Sequence, residues 1–210
     1  MIDLYTWATP NGRKVSIMLE ELGLDYNVHE VDLSKGQQHE PEFLAISPNN
    51  KIPGIVDSDG PGGEPVKMFE TGAILIYLAE KEKSELYPAD ALKRMETLQW
   101  LMWQMGGVGP MFGQAHHFMF KPKEDVPYGV ERYHKETKRL YKVMNERLAD
   151  VTYLAGGDYT VTDIATFPWV DRFRRHQVDL ADFPNVQKWH EMLWERPAVK
   201  KGMEVPFYNT

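Results

Sequence analysis

No cysteine occurs in the 210 residues, which excludes a disulfide scaffold, thiolate zinc sites and redox chemistry on a protein thiol. No run of about 18 apolar residues is present to span a bilayer. A basic block or stripe is missing too. The 24 Lys and Arg stand against 31 Asp and Glu, a net charge of -7, which argues against a nucleic-acid binder. Residues 1–20 carry Asp3, Arg13, Lys14 and Glu20, so they lack the apolar core of a signal peptide. There is no internal repeat and no low-complexity tract. What is there, 42% hydrophobic and 26% charged residues, is the composition of a soluble globular protein with enough length for one large domain or two small ones. The expected location is cytoplasmic.

The stretch Trp7-Ala8-Thr9-Pro10-Asn11-Gly12-Arg13-Lys14 follows a short apolar run, Ile2 to Tyr5, and leads into Val15, Met18, Leu19 and Leu22, which share one helical stripe. A strand therefore runs into a turn that opens a helix at or just after Pro10, where the missing proline N–H would have been unpaired anyway. The first turn of that helix presents free backbone N–H groups and the positive end of a macrodipole, a setting for an anion. A thiolate is one such anion, and here it must arrive with a ligand. Thr9 and Asn11 add a hydroxyl and an amide that can donate to it. Thr9 can equally serve as a plain helix cap.

Gly23 stops the helix, and Tyr26, Val28, Val31 and Leu33 read as a second strand, giving a right-handed parallel unit. Residues 34–40 form a loop and 41–46 a short helix. In Asn50-Lys51-Ile52-Pro53 the proline belongs at a strand start or edge, and the Ile52–Pro53 bond is a candidate for cis. A turn over 58–63 and a returning strand, Val66 to Phe69, make a hairpin, and Glu70-Thr71-Gly72 opens a helix bearing Ile74, Leu75, Tyr77 and Leu78. A helix start with a hydroxyl suits a carboxylate, and a neighbouring glutamate suits an ammonium; a simple N-cap reads the same way. This first part is βαβ followed by a hairpin and a helix. Residues 1–83 are the expected first domain, 84–90 a linker and 91–210 an all-helical domain.

In that second domain Met95, Leu98, Met102 and Met105 share a stripe that Trp100, Leu101 and Trp103 widen, and Gly106-Gly107-Val108-Gly109-Pro110 interrupts the helix. The glycines follow no strand and lack dinucleotide spacing, so they are a helix break and not a phosphate cradle. Met111 to Met119 resumes the helix, and a loop with two prolines covers 121–128. Tyr133, Thr137, Leu140, Tyr141, Met144 and Leu148 mark a long helix. Thr160-Val161-Thr162-Asp163 has the spacing of a capping box and launches a buried helix, Ile164 to Phe173, with Pro168 inside it. A last helix carries Val186, Trp189, Met192 and Leu193 and ends at Arg196-Pro197. His116 and His117 point about 100° apart on a helix and cannot easily share a metal ion, so no metal site is expected. Tyr5 lies inside the strand, too early to hold a thiolate at the turn. Trp7, Phe112, Phe118 and Phe120 are candidates for an apolar second-substrate surface or, equally, core.

Four local matches, Thr9-Pro10-Asn11-Gly12, Asn50-Lys51-Ile52-Pro53, Glu70-Thr71 and Thr160-x-x-Asp163-Ile164-Ala165, make the chain resemble a glutathione S-transferase over residues 1 to about 200. The first turn, the Ser47-to-Pro53 run and Glu131-Arg132-Tyr133 resemble the bacterial Nu class, whose members act as glutathione-dependent disulfide reductases. The resemblance implies a thioredoxin-like first domain and a helical second domain. It assigns Thr9 and Asn11 to the glutathione sulfur, Ile52 and Pro53 to the cysteinyl unit, Glu70 and Thr71 to the γ-glutamyl group, Gln38 and Lys51 to the glycyl carboxylate, and Arg132 to a second glutathione. It implies glutathione and its disulfide as ligands, no further cofactor, and a homodimer to whose interface the helical domain contributes. The alternatives are a conventional transferase acting on electrophiles, with or without a peroxidase side activity, and a non-catalytic binding or regulatory protein of the glutathione-transferase fold, to which glutathione itself would not bind.

Overall fold

A computed structural model describes residues 1–120 and 123–207. The chain divides into two compact units, one built from residues 1–84 together with those from 196 onward, the other from residues 85–195.

The first unit holds a four-stranded mixed sheet in the order β2-β1-β3-β4. Strand β1 (Ile2–Thr6) runs parallel to β2 (Tyr26–Glu30) and antiparallel to β3 (Gly54–Asp57), which pairs with β4 (Val66–Phe69). The parallel pair needs a crossover, and helix α1 (Pro10–Leu22) supplies it. Its start is set by Pro10 in the first turn and its end by Gly23, whose φ of 64° places it in the left-handed region glycine tolerates. A short α2 (Pro41–Leu44) follows β2, and α3 (Thr71–Lys81) follows β4. Leu4, Ile55, Val15, Met18, Leu19, Ile74, Leu75 and Leu78 are fully buried and form the core beneath the sheet. The edge strand β2 stays largely exposed, and the second strand ends at Glu30, short of the Leu33 that the apolar pattern suggests.

The second unit is helical: α4 (Ala91–Trp103), α5 (Gly109–Phe120), α6 (Pro127–Asp150), α7 (Val161–Val170) and α8 (Pro184–Trp194). Between α4 and α5 the expected interruption is one π-helical segment, Gln104–Val108. The 121–128 loop lies partly outside the described residues, at 121 and 122. Phe112 and Tyr141 stack with centroids 4.8 Å apart against the buried His176, which makes Phe112 core and not substrate surface. The capping box is present as expected. The Asp163 carboxylate accepts from the backbone N–H groups of Thr160 and Leu154 and from the Trp189 indole at 2.9–3.1 Å. Helix α7 is buried along its whole length and ends at Val170, after which residues 173–176 tighten into a 3-10 turn. On α4 the apolar stripe faces outward: Leu92, Met95 and Met102 are exposed, while Thr97 and Leu101 are buried.

One difference concerns the tail. Pro197 does not end the helices. It occupies the first turn of one more, α9 (Pro197–Met203), as proline can where a missing N–H costs nothing. This helix packs in the first unit and not the helical one. Arg196 forms a two-pronged ion pair with Glu21 at 2.8 Å, Lys201 reaches Glu20 at 2.7 Å, and Ser16 Oγ donates to the Gly202 carbonyl at 2.6 Å.

Candidate functional site

The register of the sheet brings four loops to one end. Thr6 pairs with Glu30, Tyr5 with Gly54, and Gly54 with Phe69. The turn leaving β1, the loop after β2, the approach to β3 and the exit from β4 therefore all lie at the same edge. Thr9 and Asn11, Gln38, Lys51 to Pro53, and Glu70 with Thr71 sit on those four loops in that order. Trp7 and Tyr5 pack against Val31, Phe43 and the buried Ile52, tying the first turn to the third loop. Arg132 is in the other unit.

Thr9 is the N-cap of α1. Its backbone is extended (φ -123°, ψ 162°), and its Oγ1 accepts from the Gly12 N–H at 3.1 Å, so its own hydroxyl proton remains to be given to something else. Asn11 occupies the first turn and is only partly buried. Gly12 is the position the turn depends on. A Cβ there would lie 2.3 Å from the Trp7 carbonyl oxygen and 2.4 Å from Thr6 Oγ1, so only glycine lets α1 start this close to β1. Tyr5 lies within β1, ahead of the turn, and stacks on His29 with centroids 4.5 Å apart; burial pushes its hydroxyl pKa up.

The Ile52–Pro53 bond is cis. Ser47 Oγ donates to the Lys51 carbonyl at 2.8 Å and braces the loop before it, while the Lys51 side chain is exposed. Gln38 sits in a 3-10 turn, and its Oε1 is buried without a hydrogen-bond partner among the described residues. Buried amide oxygens are rarely left so.

At the head of α3, Glu70 has φ 71° and ψ 110°, a region that costs a non-glycine residue on the order of 1–3 kcal/mol and that recurs at functional sites. Thr71 is buried, and its Oγ1 lies 3.4 Å from the Nζ of Lys14. Lys14 is 2% exposed; burial presses its ammonium pKa down to about 7, against the opposing pull of the Glu70 carboxylate. Sequence reasoning missed this residue. The available signal was that Lys14 stands four residues before Met18 and eight before Leu22, on the apolar stripe itself.

In the helical unit Arg132 is exposed on α6. It lines a concavity of about 620 Å³ with Met111, Tyr128, Tyr133, Glu136 and Arg139. Arg139 grips Glu136 with two hydrogen bonds at 2.7–2.8 Å and holds that carboxyl below its usual range. Among the described residues, no group of three or more His, Cys, Asp or Glu side chains could hold a metal ion, and no helix is long and apolar enough to cross a membrane.

Residues 1–80 match the family of the glutathione S-transferase N-terminal domain, and residues 108–197 match the glutathione S-transferase C-terminal domain. The chain belongs to the glutathione S-transferase family. Its fold is the thioredoxin-like domain followed by the helical domain of that family. The chain is 52% identical to the disulfide-bond oxidoreductase YfcG of Escherichia coli over 204 residues, covering 97% of this chain and 94% of that protein. It is 36% identical to the E. coli disulfide-bond oxidoreductase YghU, covering 96% of this chain and 73% of the other. Among solved structures, a glutathione transferase family member from Pseudomonas fluorescens with two glutathione bound superposes with a TM-score of 0.93 at 46% identity, covering 97% and 92% of the two chains. A glutathione transferase from Pseudomonas putida, with one glutathione disulfide per subunit, superposes with a TM-score of 0.93 at 45% identity, covering 98% and 91%.

Proposed function

We propose that this protein is a Nu-class glutathione-dependent disulfide-bond reductase that uses the thiol of bound glutathione in place of a protein cysteine. The observation that carries the reading is the β1–α1 turn: a helix start with a Thr9 hydroxyl free to donate, in a chain with no cysteine and half identical to a disulfide-bond oxidoreductase. The Thr9 hydroxyl and the Asn11 amide face the sulfur. Each hydrogen bond to a thiolate favours it over the thiol by about 1.5–3 kcal/mol, in addition to the helix macrodipole.

The reaction is two exchanges in line. A glutathione thiolate attacks one sulfur of the substrate disulfide, forming a mixed disulfide and releasing one thiolate. A second glutathione thiolate attacks the glutathione sulfur of the mixed disulfide and releases the other, so one disulfide and two glutathiones become two thiols and one glutathione disulfide. The protein positions the partners and contributes no electrons. Ile52 and Pro53 hold the cysteinyl unit, and Glu70 and Thr71 the γ-glutamyl group. Gln38 and Lys51 hold the glycyl end. A carboxylate only accepts, so the Gln38 amide N–H faces it while the orphan Oε1 takes a donor from the peptide. Arg132 serves the second glutathione, on the second-substrate side supplied by the helical domain. Glutathione is substrate, and no further cofactor enters. The protein is a cytoplasmic homodimer, and the exposed Leu92, Met95 and Met102 of α4 offer an apolar face for the pairing.

Titration calorimetry tests the reading: two glutathiones, or one glutathione disulfide, are expected per subunit. Asn11→Ala is expected to lower disulfide reduction about tenfold or more while leaving the melting temperature within a few degrees. A single glutathione with no binding of the disulfide, together with fast conjugation of chlorodinitrobenzene, would replace the reductase by a conventional transferase.

A further inference from the structure

On the face of α6 that lines the concavity, two arginines share one carboxylate. Arg132, Glu136 and Arg139 are spaced four and three residues apart, so their side chains are neighbours on the helix surface. Glu136 is the only acidic residue three or four positions from Arg132, and equally the only one at that spacing from Arg139. The two cations therefore compete for it, and Arg139 holds it. Its Nε donates to one carboxylate oxygen at 2.8 Å and its Nη2 to the other at 2.7 Å, the two-pronged geometry that suits an arginine and a carboxylate. The Arg132 guanidinium is exposed and makes no ion pair or hydrogen bond with another described residue.

We propose that Arg139 is a positioning residue for the second glutathione: by occupying both oxygens of Glu136, it keeps the Arg132 guanidinium from folding onto that carboxylate and leaves it to the carboxylate of the ligand. The inference rests on reading Arg132 as a ligand of the second glutathione. Chain direction favours this division. In a helix an acid N-terminal to its cation pairs better than the reverse, and Glu136 precedes Arg139 but follows Arg132. The hydrogen bonds of Arg139 hold the Glu136 carboxyl below its usual range, and the charge of Arg132 adds to them, so the carboxylate already lies in the field of the second arginine. Released from Arg139, it would find Arg132 one turn back, and a ligand carboxylate would have to displace it. A cation kept open beforehand spares the ligand that competition. The effect is of modest size, because 55% of the Arg139 side chain and 31% of Glu136 stand open to water.

Calorimetry with reduced glutathione reads both sites, and Arg132→Gln marks the second as the one it weakens. Arg139→Met is expected to weaken that same site roughly two- to fivefold, the range for an exposed pair, and to leave the first unchanged. Glu136→Gln alone should bind as wild type does or more tightly. Arg139→Met combined with Glu136→Gln should recover the wild-type affinity, because no carboxylate is left to capture Arg132. Lys135→Met takes the same charge out of the same concavity without releasing Glu136, and it should cost less than Arg139→Met. In disulfide reduction Arg139→Met should raise the KM for glutathione while kcat holds. An Arg139→Met protein with wild-type binding, a double variant that does not recover, or an equal loss in Lys135→Met overturns the inference. A loss in Arg132→Gln beside none in Arg139→Met removes only the role of Arg139. If Arg132→Gln weakens neither site, the assignment of Arg132 falls and this inference with it.

Discussion

The replacement Gly12→Ala separates the positioning of the site from the stability of the fold. A methyl at residue 12 would lie 2.3 Å from the Trp7 carbonyl oxygen and 2.4 Å from Thr6 Oγ1, where ordinary contacts begin above about 3 Å. Neither neighbour is a flexible surface group. One is backbone, and the other is a fully buried hydroxyl. The first turn of α1 must therefore retreat from β1 by roughly 1 Å, and overpacking of this kind costs about 1–3 kcal/mol. Against a typical total of about 5–15 kcal/mol the protein stays folded. The same retreat carries Thr9 and Asn11 with it, and a displacement of that size can cost on the order of 100-fold in rate. Urea unfolding should show a lower midpoint with an unchanged slope, and glutathione-dependent reduction of hydroxyethyl disulfide should fall much further than stability does. Adding Thr6→Ala removes one of the two clashes and should restore only part of the loss, because the Trp7 carbonyl remains. A Gly12→Ala protein with wild-type midpoint and turnover would refute the reasoning.

Other perturbations follow from the same geometry. Gly202→Ala sets helix propensity against packing. Alanine gains up to about 1 kcal/mol in a helix, but its Cβ would stand 2.5 Å from the Ile17 Cα, so net destabilisation of about 1–3 kcal/mol is expected in urea and a stabilised variant would show that α9 yields freely. Asp163→Ala strips the partner from the N–H groups of Leu154, Thr160 and Trp189 inside a fully buried helix start; a loss of about 3–5 kcal/mol is expected, read as a drop in melting temperature. Burial presses the Lys14 pKa down to about 7, while in the unfolded chain it is near 10.4. Between those values the unfolded state binds the proton that the folded state has released, so this group makes stability rise with pH from about 7 to about 10. The difference in unfolding free energy between wild type and Lys14→Met should change across that window, and a constant difference would contradict the burial of the charge.

Much of this was legible from residue order. Pro10 and Gly23 bound α1, the Thr160–Asp163 spacing forms the capping box of α7, and the glycines at 106, 107 and 109 mark a break that takes the form of one π turn. Those signals are local, and local chemistry is what a sequence displays. The failures are tertiary. Arg196-Pro197 looks like an ending because proline stops a helix, yet proline also starts one, and only packing decides. The helical spacing puts Met95 and Met102 on one stripe but does not say which way it faces, and the buried face of α4 is the one with Thr97 and Leu101. Within the candidate site, the loops carrying Thr9, Ile52 and Glu70 were readable as turn and cap motifs. Lys14 was not, since a lysine in a helix reads as a solvated charge, and only the approach of α3 turns it into a buried one.

The return of α9 to α1 has a consequence for how the polypeptide matures on the ribosome. Domains commonly fold as units from the N-terminus as they emerge, at about 5–20 residues per second. Here the unit that begins the chain also needs residues 196–203, which bring Arg196 to Glu21 and Gly202 to Ser16. Once residue 84 has been translated, roughly 6–24 s pass before residue 203 follows at that pace. Through that interval the flank of α1 that α9 will cover stays open to chaperones. The helical unit, contiguous from 85 to 195, has all its sequence first, so the unit that starts the protein is the last to close.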